Sequence, residues 1–257
     1  MIKKSFEYIY LACIFIFLYA PILALTVLSF NESKYMSKWG GFSLKWYEQM
    51  FSSDLIMSAL QNTLIIAFIS AGVATIIGTL ACIGINQMKA TSKTVIMGIT
   101  NIPLLNADIV TGISLMLCFL AFGISLSIQT VIIAHITFNI PYVILSVMPK
   151  LKQTEITTYE AALDLGASPI YAFFKVVFPD ILPGILSGFL LAFTMSLDDF
   201  IITHFTKGAG INTISTLVYS EVRKGIKPSL YALSTIMFVA VLILLLIMNK
   251  PKKEKKN

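Results

Sequence analysis

Charge is scarce in this chain. Only 12% of its 257 residues are Asp, Glu, Lys or Arg, while 57% are hydrophobic and the mean hydropathy is +0.84. A soluble domain carries about 25% charged residues and about 45–50% apolar ones. Half the usual charge cannot cover a water-facing surface of this length, so a soluble globular enzyme is excluded. Disorder needs the opposite composition and is excluded as well. Cysteine is sparse too: Cys13, Cys82 and Cys118 all fall in apolar runs. An odd number at lipid depth is no disulfide framework. The two histidines, His135 and His204, are too few and too separated to make a metal cluster with them, so no metal site is expected. The net charge of +6 does not point to nucleic acid, because the basic residues sit at the ends of apolar runs and in the tail 250–256. That is the pattern of membrane orientation. What is left is an all-α, polytopic membrane protein with one domain, residues 1–257.

The gaps between charges define the spans. A bilayer core takes about 20 apolar residues per helix. Between Glu7 and Glu32 lie 24 uncharged residues, enough for a retained helix at about 8–30, too long for a cleaved signal peptide. Between Asp54 and Lys89 lie 34, predicting a second helix at about 56–86. From Thr94 to Pro149 run 56 residues with one charge, Asp108, too many for one crossing; they divide near Phe122-Gly123 into spans 95–121 and 126–149. Spans at 181–205 and 229–248 complete six. With six, both termini share a side. Placing that side in the cytoplasm assigns it 12 basic residues, the tail lysines included, against seven outside, as the positive-inside rule favours.

The segment 150–180 carries Lys150, Lys152, Glu155, Glu160, Asp164, Lys175 and Asp180 and so leaves the membrane, on the cytoplasmic side. Thr157-Thr158-Tyr159-Glu160 has the form of a capping box. The helix it starts is expected to stop at Gly166, a residue suited to the left-handed position after a helix end. Ser168-Pro169 then reads as cap and first residue of a second short helix, ending before Pro179.

Glu160-Ala161-Ala162, three residues, Gly166, nine residues and Val176-Val177-Phe178-Pro179 resemble the loop signature of ABC-importer permeases, E-A-A-x3-G-x9-I-x-L-P. Val176 and Phe178 replace the usual Ile and Leu. Asn62-Thr63-Leu64 with Ala67, Gly78-Thr79-Leu80-Ala81, and the segment from Phe42 to Tyr47 extend the likeness to about 200 residues. The resemblance implies the type I importer permease fold and a multi-pass place in a bacterial inner membrane. It makes the loop a coupling element on which Glu160, Ala161, Ala162, Gly166 and Pro179 meet an ATP-hydrolysing partner dimer. It also implies a homologous second permease and an external binding protein. No G-x-x-x-x-G-K-[ST] occurs here, so ATP is used by the partner and no cofactor is expected on this chain.

Three carboxylates lie at membrane depth: Asp108, Asp198 and Asp199. Ionisable groups there are costly and typically face a cavity or pathway. Counted from the inner ends of their spans, Asp108 stands about 21 Å and Asp198 about 25 Å along the helix, so all three can share a level. Neighbours on a helix point about 100° apart, so Asp198 and Asp199 cannot both face one small site squarely. A cap or an interhelical hydrogen bond would also account for each of them, and Asp108 can simply start a helical segment after Pro103-Leu104-Leu105-Asn106. No Lys or Arg lies within the spans to neutralise them, which favours a mobile cation as their partner. Trp46, Tyr47 and Tyr219 are candidate cation–π faces, with interfacial anchoring as the other reading of Trp46.

The runs Met195-Ser196-Leu197-Asp198-Asp199-Phe200 and Asp108-Ile109-Val110 with Gly112-Ile113-Ser114-Leu115 look like those of C-type permease subunits in bacterial spermidine/putrescine importers. That resemblance implies a polyamine cargo, with Asp108, Asp198, Asp199, Ser196 and Trp46 along its path. The same fold carrying iron, thiamine or another solute is the alternative. A proton-coupled secondary transporter is less favoured, since no internal repeat is found, and no motif for an intramembrane enzyme is present.

Overall fold

The computed structural model describes residues 2–35 and 37–248 of the chain. The tail lysines invoked for orientation lie outside the described residues. The elements are helices α1 (Ile2–Ser29), α2 (Lys45–Phe51), α3 (Asp54–Asn86), α4 (Ala90–Leu105), α5 (Asp108–Ala121) and α6 (Ile128–Gln153). They continue with α7 (Ile156–Asp164), α8 (Pro169–Ala172), a π-helical turn (Phe173–Val177), α9 (Phe178–Asp198), α10 (Ile201–Thr206), α11 (Ile214–Val222) and α12 (Pro228–Met248). Among the described residues the only strand-like pairing is an isolated bridge between Asn31 and Phe42.

The chain forms two compact units: residues 1–57 with 218–257, and residues 58–217. In the first, α12 packs on α1 and α2. The connection after α1 is tied by Asn31, whose side chain accepts from the Ser33 and Gly40 amides and donates to the Lys38 carbonyl. In the second, α9 lies along α6, and the apolar core of Ala71, Ala74, Cys82, Val143, Val147, Ile181 and Ala192 joins these helices to α3. Alanines and glycines recur among the larger side chains at these contacts, as is common where helices pack closely in lipid. A Cβ added at Gly188 would stand 3.3 Å from the Val143 Cα.

Four of the described helical runs are long and apolar enough to cross a membrane: 10–29, 54–86, 128–153 and 169–198. The expected span 95–121 is not one helix. It breaks at Asn106-Ala107, where both residues are extended, and α4 and α5 meet at 104°. Counted as one broken crossing, the pair makes a fifth, and 228–243 is a shorter apolar helix. The span expected at 181–205 also breaks, at Asp199-Phe200 between α9 and α10. The division at Phe122-Gly123 stands where expected: α5 ends at Ala121 and Gly123 takes φ +70°.

Two local expectations in the 150–180 segment are corrected. α7 already begins at Ile156, after the extended Thr154 and Glu155, and no side chain caps it. Thr157 and Glu160 therefore sit inside the helix and form no capping box. The second short helix does not stop before Pro179. It passes through the π turn into α9, so 169–198 is one helical run of 30 residues. Pro179 has no N–H and crowds the carbonyl four residues back; the widened turn, in which the Phe178 amide bonds the Phe173 carbonyl, relieves that conflict.

Candidate functional site

The broken helices place the membrane-depth carboxylates. Because α5 starts afresh at Asp108, this residue stands in the first turn of a helix, where the unpaired amides favour an anion. Its reading as a helix-starting residue is what the structure displays. Gly112, one turn on, lets α5 close on α10: a Cβ there would lie 3.3 Å from the Ile202 Cα. α9 ends at Asp198, and Asp199 leaves the helix with an extended backbone (φ −59°, ψ 125°). The 100° separation of helical neighbours no longer applies, and both residues line one hollow.

That hollow, about 380 Å³, is bounded by Asp108, Phe138, Tyr142, Met195, Asp198, Asp199 and Phe200–Ile202. Asp108 and Asp198 are exposed to it. The ion pairs among the described residues are His135–Asp199, Lys224–Glu221 and Lys227–Glu221, so neither Asp108 nor Asp198 has a cationic partner there. Two open carboxylates among aromatic walls offer Coulomb attraction and π faces to a cation.

Asp199 stands differently. Its side chain is 9% exposed and lies 3.3 Å from His135 Nε2. Oδ2 accepts from the Thr203 amide and hydroxyl, both at 2.8 Å, and Oδ1 from the Ile202 amide at 3.3 Å. Asp199 thus caps α10. Ser196 faces away from the hollow into a buried polar layer. Its hydroxyl accepts from Asn139 Nδ2 at 2.8 Å and pairs with Ser70 at 3.1 Å, tying α3, α6 and α9.

Trp46 is not among the residues that line the hollow. It belongs to the other compact unit, is 6% exposed, and its indole N–H donates to the Asn31 carbonyl at 2.6 Å. Lys45 already stands over its ring at 5.5 Å, as Arg223 stands over Tyr219 at 5.1 Å. The Tyr47 hydroxyl pairs with Ser29. The aromatics that line the hollow are Phe138, Tyr142 and Phe200 instead, and with His135 and Thr203 they are the residues sequence reasoning missed. One signal was available: His135, Phe138, Asn139 and Tyr142 recur at helical spacing on one face of α6. Just after α10, Lys207 donates to Asn212 Oδ1 at 2.9 Å, and partial burial lowers its pKa.

The second candidate region is the segment α7–α8. Gly166 takes φ +88°, its amide bonds the Leu163 carbonyl and that of Ala167 bonds the Ala162 carbonyl. This is the Schellman end expected of a glycine there. Ser168 caps α8 through the Tyr171 amide. Glu160 and Ala161 are exposed, and the turn presents Leu165 (90% exposed), Ile170 (74%), Tyr171 and Phe174 to the outside. The segment thus leaves a set of apolar side chains uncovered.

Residues 1–250 match the family "Binding-protein-dependent transport system inner membrane component". The chain is 36% identical over 234 residues to the spermidine/putrescine transport system permease protein PotC of Haemophilus influenzae, covering 91% of each chain. It is 37% identical over 250 residues to the putrescine transport system permease protein PotI of Escherichia coli, covering 94% of this chain and 88% of that one. In fold it resembles a chain of the bacterial ABC transporter that imports the acidic polysaccharide alginate, with TM-score 0.74, 16% identity and coverage of 96% and 94%. A chain of the MetNI methionine ABC transporter superposes with TM-score 0.62, 17% identity and coverage of 78% and 94%. By sequence and by fold, the chain belongs to the inner-membrane components of binding-protein-dependent transport systems, the permeases of ABC importers.

Proposed function

We propose that this permease moves polyamines inward, and that Asp108 and Asp198 meet the cargo's ammonium groups in the hollow. The observation that carries the reading is the pair of open carboxylates with no Lys or Arg in the walls, set among Phe138, Tyr142 and Phe200. A polyamine is a chain of cations separated by methylenes, and such walls suit both parts. The names of PotC and PotI support the same cargo. Trp46 and Ser196 act as packing and interhelical hydrogen-bonding residues in this reading, outside the cargo's direct path.

The chain crosses the membrane six times with both termini in the cytoplasm and pairs with a homologous permease. An ATPase dimer docks on Leu165, Ile170 and Tyr171 around the Glu160–Gly166 helix, and an external binding protein supplies the polyamine. ATP-driven closure of the ATPases moves the α7–α8 knob and switches access to the hollow.

The test is uptake of labelled spermidine and putrescine in cells lacking this chain, complemented with wild type, Asp108→Asn or Asp198→Asn. Wild type is expected to restore ATP-dependent uptake, with KM raised about tenfold in each variant, as for loss of a charge-assisted contact. No uptake by wild type with all partner subunits present would overturn the cargo.

A further inference from the structure

The three carboxylates of the hollow do not do the same work. A carboxylate offers about four lone-pair positions. In Asp199, Oδ2 accepts from the Thr203 amide and hydroxyl and lies 3.3 Å from His135 Nε2, while Oδ1 accepts from the Ile202 amide. The Asp199 carbonyl accepts from Ser215 Oγ at 2.6 Å as well. One residue therefore ties α6, α10 and α11 at the point where the α9 helix ends.

The donor order is readable. Thr203 has one hydroxyl proton, directed to Asp199, so towards His135, 2.9 Å away, its oxygen accepts. His135 then carries its proton on Nε2, and Nδ1 is left as a buried atom without a partner. The imidazole, 1% exposed, lies behind the carboxylate rather than in the hollow.

The geometry points to Asp199 as a positioning residue rather than a cargo ligand: His135 and Thr203 lock it as the cap of α10, and the lock sets the helix break that delivers Asp198 into the hollow. The inference rests on the reading of the hollow as the cargo site. It divides the acidic pair into one residue that shapes the site and one that meets the cation.

The experiment uses the intact complex in proteoliposomes, measuring KM and Vmax for ATP-driven uptake of labelled putrescine. Asn can still cap a helix, and His135 can turn a bare Nε2 to its amide. Asp199→Asn is therefore expected to raise KM less than about threefold, whereas Asp199→Ala and Asp198→Asn raise it about tenfold. His135→Gln keeps a donor near the Nε2 position and rescues what His135→Leu loses, the loss falling on KM more than on Vmax. Hydrogen exchange over residues 200–206 supplies a reading independent of transport. It is expected to quicken about tenfold in Asp199→Ala and His135→Leu and to stay at the wild-type rate in the Asn and Gln variants. The inference is overturned if Asp199→Asn raises KM as far as Asp198→Asn does, or if His135→Leu leaves both KM and exchange unchanged. If Asp108→Asn and Asp198→Asn leave KM unchanged, the cargo reading falls instead, while the exchange pattern still decides the lock.

Discussion

Replacing Gly166 tests the coupling segment through a single backbone dihedral. Its φ of +88° is a region that L-residues enter at a cost of about 1–2 kcal/mol. A Cβ built there meets nothing within 4 Å, so the steric cost of alanine is confined to the backbone. Gly166→Ala is therefore expected to weaken the turn by about 1 kcal/mol, a factor of about five in its population. Gly166→Asn tolerates the left-handed region and should cost less. Gly166→Pro fixes φ near −65° and deletes the amide that donates to Leu163, so the turn is lost by about 3 kcal/mol or more. The assay is ATP hydrolysis stimulated by loaded binding protein in the purified complex, read beside uptake. Stimulation should rank Gly, Asn, Ala, Pro, with expression unchanged for Asn and Ala. A proline variant that keeps wild-type stimulation would refute the argument.

Gly112→Val drives a branched side chain into Ile202 and Phe205 and should destabilise the purified protein by about 1–3 kcal/mol, seen as a lower thermal midpoint. Ser196→Ala leaves Asn139 Nδ2 without its acceptor in a fully buried layer, costing about 1–3 kcal/mol in thermal stability with little effect on KM. Leu165→Glu and Tyr171→Glu change exposed side chains, so they should express normally yet co-purify with markedly less ATPase subunit.

The positions of the long helices were legible because charge is so rare that its gaps mark them. The division near Gly123 was legible because 56 residues are too many for one crossing, and the turn at Gly166 because a glycine after a short helix suits the left-handed position. The two broken helices were hidden. At 199–200 the break is sealed by a side chain capping the next helix, and an Asp in an apolar run looks the same whether it caps or faces a cavity. His135 escaped for another reason: its partners are 64 and 68 positions away, beyond any local pattern. The apparent capping box misled because Thr-x-x-Glu is also an ordinary helix interior once the chain has turned at Thr154-Glu155. Pro179 misled because the helix runs on through the π turn Phe173–Val177 and the proline falls in the first turn of α9, where its missing N–H costs little. Trp46 was singled out as an aromatic near the outer side, but its ring is already covered and already beneath a lysine.

The helical run 169–198 has a mechanical consequence. Its first turn belongs to the exposed knob, and its last residue is Asp198. At about 1.5 Å per residue the run is about 45 Å long. A rod of that length acts as a lever arm: a tilt of about 5° about its middle swings each end through about 2 Å in opposite directions, enough to stretch a hydrogen bond past its usual range. Pressure on Tyr171 and repositioning of a carboxylate in the hollow are then the same displacement seen at opposite ends, and the stiffness of the π turn sets how much of it is transmitted.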